Sequence, residues 1–350
     1  MKPAHSDLFA RLALGTAPLV RLLHSLLTIG AGIYGLIVTG HTLLFANGYR
    51  RCRRLPAPVI SIGNITAGGT GKTPAVVWLV RQLRAMNFPR PVILSRGYGG
   101  DEIRLLHEQL PHTPHVTNSD RFTAGSQAIA HHGPALCFVL DDGFQHRRLH
   151  RDLDVVLIDA TRPFGFGHLL PRGFLREPVS HLRRAQVIMI TKADMVADEA
   201  LQRLHERLHL LCPRALRLEA VHRPLSVHRL GELAVHDPTV LAGVKCLLFT
   251  GIGNPESFTA TVRQLGIAIA QTCYFPDHHP YCAADWSLLA HEAEKTQATA
   301  MITTAKDAVK LLATPLPAVP VWVVDIELQV RSGQAALLRL LTNIVGSVTQ

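Results

Sequence analysis

A glycine-rich segment that joins an apolar strand to a helical pattern is the feature that most constrains the fold. Residues 59–62 form a short β-branched run, which glycines and then Gly71-Lys72-Thr73 follow. Glycines let backbone N–H groups converge on phosphate oxygens, a lysine supplies a cation for the β and γ phosphates, and a threonine hydroxyl can bind Mg²⁺. The segment therefore predicts a nucleotide-phosphate site. The residues expected to form it are Thr66, Ala67, Gly68, Gly69, Thr70, Gly71, Lys72 and Thr73.

Composition limits the class of protein. The chain has 350 residues, of which 47% are hydrophobic and 18% charged, so it is long and apolar enough for two domains with real cores. The formal net charge of +10 indicates an anionic partner without choosing among nucleotide, lipid and nucleic acid. Aromatic residues are only 6% and no base-stacking motif is present, which argues against nucleic acid. No feature indicates an obligate protein partner.

The N-terminal region predicts a membrane-associated helix. Residues 26–46 contain no Asp, Glu, Lys or Arg, and as a helix they would be about 30 Å long. Arg50, Arg51, Arg53 and Arg54 follow directly, and this cluster favours a cytoplasmic location for the rest of the chain. A helix that crosses the bilayer and one that lies in its interface both fit the pattern.

Short apolar runs separated by helical segments predict an α/β fold. We expect a P-loop NTPase-like, mostly parallel sheet with flanking helices, a second smaller α/β domain and the N-terminal membrane helix. The predicted division is 1–54 for the membrane segment with its basic flank, 55–225 for the P-loop nucleotide-binding domain, and 226–350 for a C-terminal α/β domain that contributes to the active site. The predicted strands are 59–62, 92–94, 135–140, 155–158, 187–190, 246–250, 300–303 and 321–324, and a helix is predicted over 74–85.

Two carboxylates end the strand at 136–140. Asp141 and Asp142 at such a position could bring an acid to the Mg²⁺ that Thr73 binds, although a strand-end Asp pair can also cap a turn. Gln145 and His146 follow as candidates for orienting a water or hydroxyl. Arg147 and Arg148 are either cations for phosphate or a solvated face.

A second motif supports a rival function. The segment Thr191-Lys192-Ala193-Asp194 follows a strand and is similar to the Asn-Lys-x-Asp signature that reads guanine, with Thr in place of Asn. A membrane-tethered regulatory GTPase is therefore the alternative to an enzyme that uses the phosphate loop for phosphoryl transfer. A nucleic-acid-binding NTPase is the third and weakest interpretation.

Seven segments in order resemble the tetraacyldisaccharide 4'-kinase family, the kinases of lipid A biosynthesis. The resemblance extends from the N-terminal helix to about residue 325, and threonine at the position of Thr66, where the strict motif has glycine, is usual in that family. The segments are 63–74, 95–99 (Ser-Arg-Gly-Tyr-Gly), 141–148, 170–178, 250–255, 275–279, and 303–304 with 306–310.

The resemblance implies a function and a location. It implies transfer of the γ-phosphate of ATP, with Mg²⁺, to the 4'-hydroxyl of tetraacyldisaccharide 1-phosphate. That lipid substrate lies at the cytoplasmic face of the bacterial inner membrane, and the N-terminal helix would anchor the enzyme to the bilayer that holds it. A basic surface suits a phosphorylated lipid.

The resemblance also implies the roles of individual residues. Asp101, in the pair Asp101-Glu102, matches the catalytic acid of the family, although most members carry an intervening stretch after the Arg-Gly-Tyr-Gly segment that this chain lacks. The partner histidine matches His278, with His279 as the alternative register, and together they would accept the proton of the attacking hydroxyl. Ala305 stands where the family usually has Glu. In the full assignment Lys72 stabilises the transferred phosphate, Thr73 and Asp142 hold Mg²⁺ and Asp141 supports the metal shell. The candidates for substrate or phosphate contacts are Glu102, Arg121, Gln145, His146, Arg147 and Arg176.

Overall fold

A computed structural model describes residues 18–97, 100–311 and 317–346 of the chain. Its described residues divide into two compact units. The larger unit comprises 18–97, 109–221 and 328–346, and the smaller unit comprises 100–108, 222–311 and 317–327. Tyr98 and Gly99 of the Arg-Gly-Tyr-Gly segment, and residues 1–17 of the predicted membrane segment, lie outside the described residues.

The larger unit is built on a parallel sheet. From one edge to the other its strands run β7-β6-β5-β1-β4-β2-β3, and all neighbouring pairs are parallel. β1, β4, β5 and β6 are buried at every position, because helices cover both faces of a sheet of this kind. The strands are β1 (Val59–Asn64), β2 (Arg90–Ser95), β3 (His115–Thr117), β4 (Leu136–Asp141), β5 (Leu153–Asp159), β6 (Val187–Thr191) and the first part of β7 (Leu216–Arg229).

Helices of the larger unit pack on this sheet. α2 buries an apolar stripe that includes Val76, Leu79, Val80 and Leu83, as the helical spacing of these residues predicts. The helices are α1 (Pro18–Ala46), α2 (Lys72–Ala85), α4 (Arg121–His132), α5 (Asp198–Leu211) and α9 (Gln334–Gly346).

The smaller unit is also built from strands and helices, and it has its own apolar clusters. Its strands lie in the order β10-β9-β11-β12-β7, and the short β8 pairs with β7 in the antiparallel sense. Phe249, Trp286 and Leu289 belong to one of its buried clusters. The elements are α3 (Gly100–Gln109), β8 (Val235–His236), β9 (Lys245–Thr250), α6 (Pro255–Gln264), β10 (Ala268–Tyr274), α7 (Ala283–Thr296), β11 (Ala300–Thr304), α8 (Ala305–Leu311) and β12 (Val321–Ser332).

These elements confirm the predicted fold class. Every predicted strand is present, and the helix predicted over 74–85 begins two residues earlier, at Lys72. Four strands, β3, β7, β8 and β10, were not predicted from the sequence. β3 and β8 have only three and two residues, β10 is only partly buried, and β7 contains Pro224 and mixes buried with exposed positions.

The apolar helix α1 leaves most of its surface exposed. Leu23–Ala46 has the length and composition of a membrane span, with a mean hydropathy of 1.6. One face contacts the larger unit: the Tyr34 hydroxyl donates to the Arg176 carbonyl at 2.9 Å, and Ala31 is buried. Gly30 lies against Pro171, and a Cβ at Gly35 would come within 2.9 Å of Leu169. The helix therefore uses glycines for close packing along one side.

Candidate active site

The glycine-rich loop joins β1 to α2 in the larger unit. Left-handed backbone occurs at Gly68 (φ 108°) and Gly71 (φ 88°), where glycine has no steric penalty. Thr66 instead pairs with Leu175 in an isolated antiparallel bridge, so the turn does not depend on the position where the strict motif has glycine. Gly71 precedes α2 without a side-chain cap, which leaves the N–H groups of the first helical turn directed at the loop. A helix N-terminus of this kind favours phosphate oxygens.

Side chains and backbone from neighbouring strands hold the loop in place. Asn64 Nδ2 donates to Thr70 Oγ1 at 2.7 Å, and the Ala67 N–H donates to the Phe174 carbonyl at 2.7 Å. From β6, Thr191 Oγ1 donates to the Thr70 carbonyl at 3.0 Å. These contacts fix the loop before any nucleotide binds, which reduces the ordering cost of binding.

Lys192 makes a buried ionic contact that also supports the loop. Its Nζ lies 3.0 Å from the Gly69 carbonyl and 2.5 Å from Asp159 Oδ2, and the lysine side chain is only 3% exposed. The lysine of the segment 191–194 is thus bound to the phosphate loop and to Asp159. This contact gives the lysine a structural role that requires no guanine recognition.

Replacing Lys192 with methionine should destabilise the larger unit. The Asp159 carboxylate would stay buried without its cation, and the loss of one partner of such a pair costs about 3–5 kcal/mol. Chemical denaturation should show this loss, and Lys192→Met/Asp159→Asn should lose less than Lys192→Met alone. The exposed Arg203→Met on α5 is the matched control. Equal stability of wild type and Lys192→Met would contradict the assigned role.

The strand-end carboxylates lie beside the loop lysine. Asp142, with left-handed backbone (φ 51°), accepts from Arg176 Nη1 at 2.8 and 3.0 Å, and Lys72 Nζ lies 3.8 Å from its Oδ1. Burial raises the pKa of Asp142, but the Lys72 and Arg176 charges outweigh it and lower the pKa overall. Asp141 is buried at the end of β4. Arg176 also donates to Asn64 Oδ1 at 3.2 Å.

The other predicted residues of this region are Arg121, Gln145, His146 and Arg147. Arg121, buried at the start of α4, feels the charges of Asp141 and Asp142, and Gln145 donates to the Asn64 carbonyl at 2.9 Å. Burial, with the charge of Arg121 next, lowers the pKa of His146 to about 4, so its imidazole is neutral at pH 7. Arg147 Nη2 lies 3.5 Å from the buried Glu177 carboxylate.

The oxygen atoms beside the loop fit Mg²⁺. Thr73, Asp141 and Asp142 provide a hydroxyl and carboxylates, the hard ligands that this ion prefers. Among the described residues there is no group of three or more His, Cys, Asp or Glu side chains that could hold a metal alone. Mg²⁺ is commonly bound by one or two carboxylates together with substrate phosphates, so the donor set suits an ion that arrives with a nucleotide.

The second set of predicted residues meets in the smaller unit. His278 Nδ1 lies 2.9 Å from Asp101 Oδ2 and 3.2 Å from Oδ1, although 177 positions separate the two residues. Asp101 is at the start of α3, and His278 lies in a loop with left-handed backbone (φ 60°). His279 instead stacks on Phe275 and pairs with Asp285 at 2.9 Å. The contact with Asp101 is therefore made by His278.

Charges around Asp101 favour its ionised form. Burial raises the pKa of Asp101, but the hydrogen bond with His278 and the charge of Lys306 outweigh it, and the pKa falls to about 2. Glu102 lies 3.3 Å from Lys306 Nζ. Asp101 is thus a carboxylate at neutral pH, able to accept a proton from a substrate hydroxyl.

Two functional candidates were not predicted from the sequence. Asp159 supports the loop through Lys192, and Lys306 lies among the acids around His278. Both positions have one signal that could have indicated them: Asp159 ends β5 and Lys306 follows the end of β11, and ligands of parallel sheets bind at such ends.

This fold, with its phosphate loop, loop lysine and strand-end aspartates, defines a P-loop phosphotransferase. The family model of tetraacyldisaccharide-1-P 4'-kinase matches residues 23–102 and 99–345. The chain belongs to the tetraacyldisaccharide 4'-kinase family, and the kinase interpretation is favoured over the regulatory GTPase.

Individual relatives agree with this assignment. The chain is 38% identical over 310 residues to a tetraacyldisaccharide 4'-kinase of Syntrophus aciditrophicus, covering 80% of this chain and 82% of that protein. It is 37% identical over 332 residues to that of Geobacter sulfurreducens, covering 88% and 90%. The crystal structure of LpxK from Aquifex aeolicus in complex with ATP has a TM-score of 0.70 and 27% identity, covering 92% of this chain and 99% of that one.

Proposed function

We propose that this protein transfers the γ-phosphoryl group of ATP to the 4'-hydroxyl of tetraacyldisaccharide 1-phosphate in lipid A biosynthesis. The observation that carries the proposal is that one chain holds both a supported phosphate loop and an ionised, histidine-bound carboxylate. A regulatory GTPase needs the first of these but has no use for the second. The names of the relatives support the same substrate.

In the proposed reaction the phosphate-loop residues act on ATP, and Asp101 with His278 acts on the acceptor hydroxyl. The 4'-oxygen forms a bond to the γ-phosphorus, the bond from that phosphorus to the β–γ bridging oxygen breaks, and its electron pair leaves with ADP. Lys72 and the loop N–H groups offset the charge on the phosphates, and Arg176 and Arg121 add positive charge on the same side. Asp101 takes the proton of the hydroxyl, and His278 orients its carboxylate.

Thr73, Asp142 and Asp141 would hold Mg²⁺, which when bound neutralises charge on the β and γ phosphates. Arg176 and Lys72 neutralise Asp142. If Asp142 held Mg²⁺, both cations would be available to the phosphates.

The lipid substrate requires membrane contact, and α1 suits an interfacial position on the cytoplasmic face of the inner membrane. Its inner face packs on the larger unit around Ala31 and Tyr34, while large apolar side chains point outward. A folded unit packed along the middle of the helix would have to enter the hydrocarbon if the helix crossed it. The packing of α1 therefore favours a protein that lies on the surface of the bilayer.

Replacing the outward residues Ile33, Leu36 and Ile37 with serine should release the protein from membranes. These side chains are 55%, 75% and 64% exposed, so their replacement should weaken membrane binding without disturbing the core. Sedimentation with inner-membrane vesicles checks this, with Leu210→Ser/Leu233→Ser/Val235→Ser as the control that removes equally exposed residues elsewhere. Release of both variants, or of neither, would contradict the assigned surface.

The orientation of α1 has a separate test. A cysteine introduced at position 2 should resist a membrane-impermeant maleimide added to intact spheroplasts, because an interfacial helix leaves both of its ends in the cytoplasm. Labelling should occur only after the spheroplasts are opened. Labelling from outside would show instead that the helix crosses.

The experiment for the proposed function is phosphate transfer in detergent micelles with Mg²⁺. Wild type is given γ-labelled ATP or GTP and either tetraacyldisaccharide 1-phosphate or no acceptor. We expect ATP-dependent labelling of the lipid and little free phosphate without acceptor. Guanine preference with hydrolysis but no lipid labelling would overturn the proposal in favour of the GTPase.

A further inference from the structure

Lys306 lies among the acidic groups that surround His278. It is the second residue of α8, and its side chain is 19% exposed. Its Nζ lies 3.2 Å from Asp277 Oδ1, 3.3 Å from Glu102 Oε1 and 3.4 Å from His278 Nε2. The lysine thus connects the first turn of α3 to the loop that carries the histidine.

The chemistry of the two side chains fixes where the imidazole proton lies. A lysine ammonium has three donors and no acceptor, so the nitrogen that faces it must offer a lone pair. In neutral histidine one ring nitrogen accepts and the other donates. Acceptance at Nε2 leaves the proton on Nδ1, which is the atom beside Asp101.

We propose that Lys306 is a positioning residue that holds His278 in its Nδ1–H tautomer, so that the histidine donates to Asp101 and Asp101 alone receives the proton of the substrate hydroxyl. This inference rests on the proposed function and deepens it. Nδ1 of His278 lies beside Asp101, and Nε2 lies 3.4 Å from Lys306 Nζ, closer than the 3.9 Å that separates it from Asp277 Oδ2. The histidine therefore orients the base and does not itself take the proton.

The charges that face His278 explain why a cation is needed. Asp101 from α3 and Asp277 from its own loop favour a second proton on the ring, and Lys306 from α8 opposes it. The hydrogen bond with Asp101 raises the pKa of His278 overall, and burial and the charge of Lys306 offset only part of this rise. Glu102 faces Lys306, and Lys310 adds positive charge toward Asp101. Without Lys306 the pKa of His278 would rise further, and the ring would carry a proton at Nε2 over a wider range of pH.

The pH dependence of transfer tests the proposal. In Lys306→Met the acidic limb of kcat/KM for the lipid should move up by about one pH unit, the size expected for loss of a charge at this distance. At neutral pH kcat should fall while KM for ATP stays unchanged, because Lys306 is not part of the phosphate loop. Lys306→Arg keeps the charge and should restore the position of the wild-type limb.

Arg104→Met is the matched control, since it removes an exposed cation from α3 outside the acidic cluster. Its pH profile should equal that of wild type. A Lys306→Met profile that is lower at every pH but not displaced would overturn the proposal, because a structural defect alone reduces activity uniformly. The same displacement in Arg104→Met would overturn it as well.

A spectroscopic readout does not depend on activity. Long-range ¹H–¹⁵N correlation spectra of histidine-labelled wild type show which ring nitrogen carries the proton, and the signal of His278 is identified by its absence in His278→Gln. We expect the Nδ1–H tautomer at neutral pH. The Nε2–H tautomer, or a ring protonated on both nitrogens, would refute the role of Lys306. Wild type that shows the expected tautomer but transfers no phosphate would refute only the proposed function.

Discussion

Replacing Lys72 with alanine is expected to lower kcat for phosphate transfer by about a thousandfold, the size of effect seen when a preorganised charge beside a transferred phosphoryl group is removed. Lys72 begins α2 and lies 3.8 Å from Asp142, so its ammonium is already held beside the site where the phosphate charge develops. Steady-state kinetics with ATP and the lipid acceptor measure the loss.

The variant should fold normally, because Arg176 still neutralises Asp142 after the lysine is removed. Arg81→Ala is the matched control, since Arg81 is exposed on the same helix and should keep full activity. Loss of a charge at this site should lower kcat by more than 10²-fold. If Lys72→Ala stays folded and its kcat is within about tenfold of wild type, another cation must stabilise the transferred group.

Replacing Asp101 with asparagine is expected to reduce kcat by about 10²- to 10⁴-fold with little change in KM for ATP, the range expected for loss of a general base. Asparagine has the same shape and keeps a hydrogen-bonding partner for His278, but it cannot take the proton of the hydroxyl. Rapid-mix measurement of a single turnover separates this loss from slow product release.

The smaller unit supplies a close control for this variant. Asp285 binds His279 at 2.9 Å just as Asp101 binds His278, so Asp285→Asn disrupts an equivalent pair in the same unit. Only Asp101→Asn should lose transfer. Equal losses in both variants would indicate damage to the loop at 275–279, and full activity of Asp101→Asn would require a different base.

Local patterns were enough to predict the phosphate loop and the sheet. The loop at 66–73 is contiguous, and the apolar runs that became β1, β4, β5 and β6 are buried throughout, so their composition alone marks them. The aspartates at 141–142 were found because a carboxylate directly after a buried strand lies at the ligand-binding edge of a parallel sheet.

Contacts between distant segments could not be predicted in this way. Lys192 is 33 positions from Asp159 and 123 from Gly69, and no local periodicity relates them. The motif at 191–194 could be interpreted as a guanine reader because Lys192 and Asp194 match the Asn-Lys-x-Asp signature, whereas the burial of Lys192 is a property of the fold. The contacts of Lys306 could not be predicted for the same reason, since its partners Glu102 and Asp277 belong to separate segments.

The pair of Asp101 and His278 could be predicted in part from the sequence. Resemblance to a family indicated both residues, but it left His278 and His279 as alternatives. The hydrogen bonds distinguish them, because His279 is held by Asp285 and by stacking on Phe275. Their roles in catalysis stay predictions that the variants above can test.

The most direct test of the central claim is the structure of the product. Wild type, ATP, Mg²⁺ and tetraacyldisaccharide 1-phosphate should yield a lipid with one additional phosphate by mass spectrometry. Phosphorus–proton correlation NMR should place that phosphate as a monoester on the 4'-carbon. Phosphate at another position, transfer to the 1-phosphate, or release of inorganic phosphate with the lipid unchanged would contradict the account.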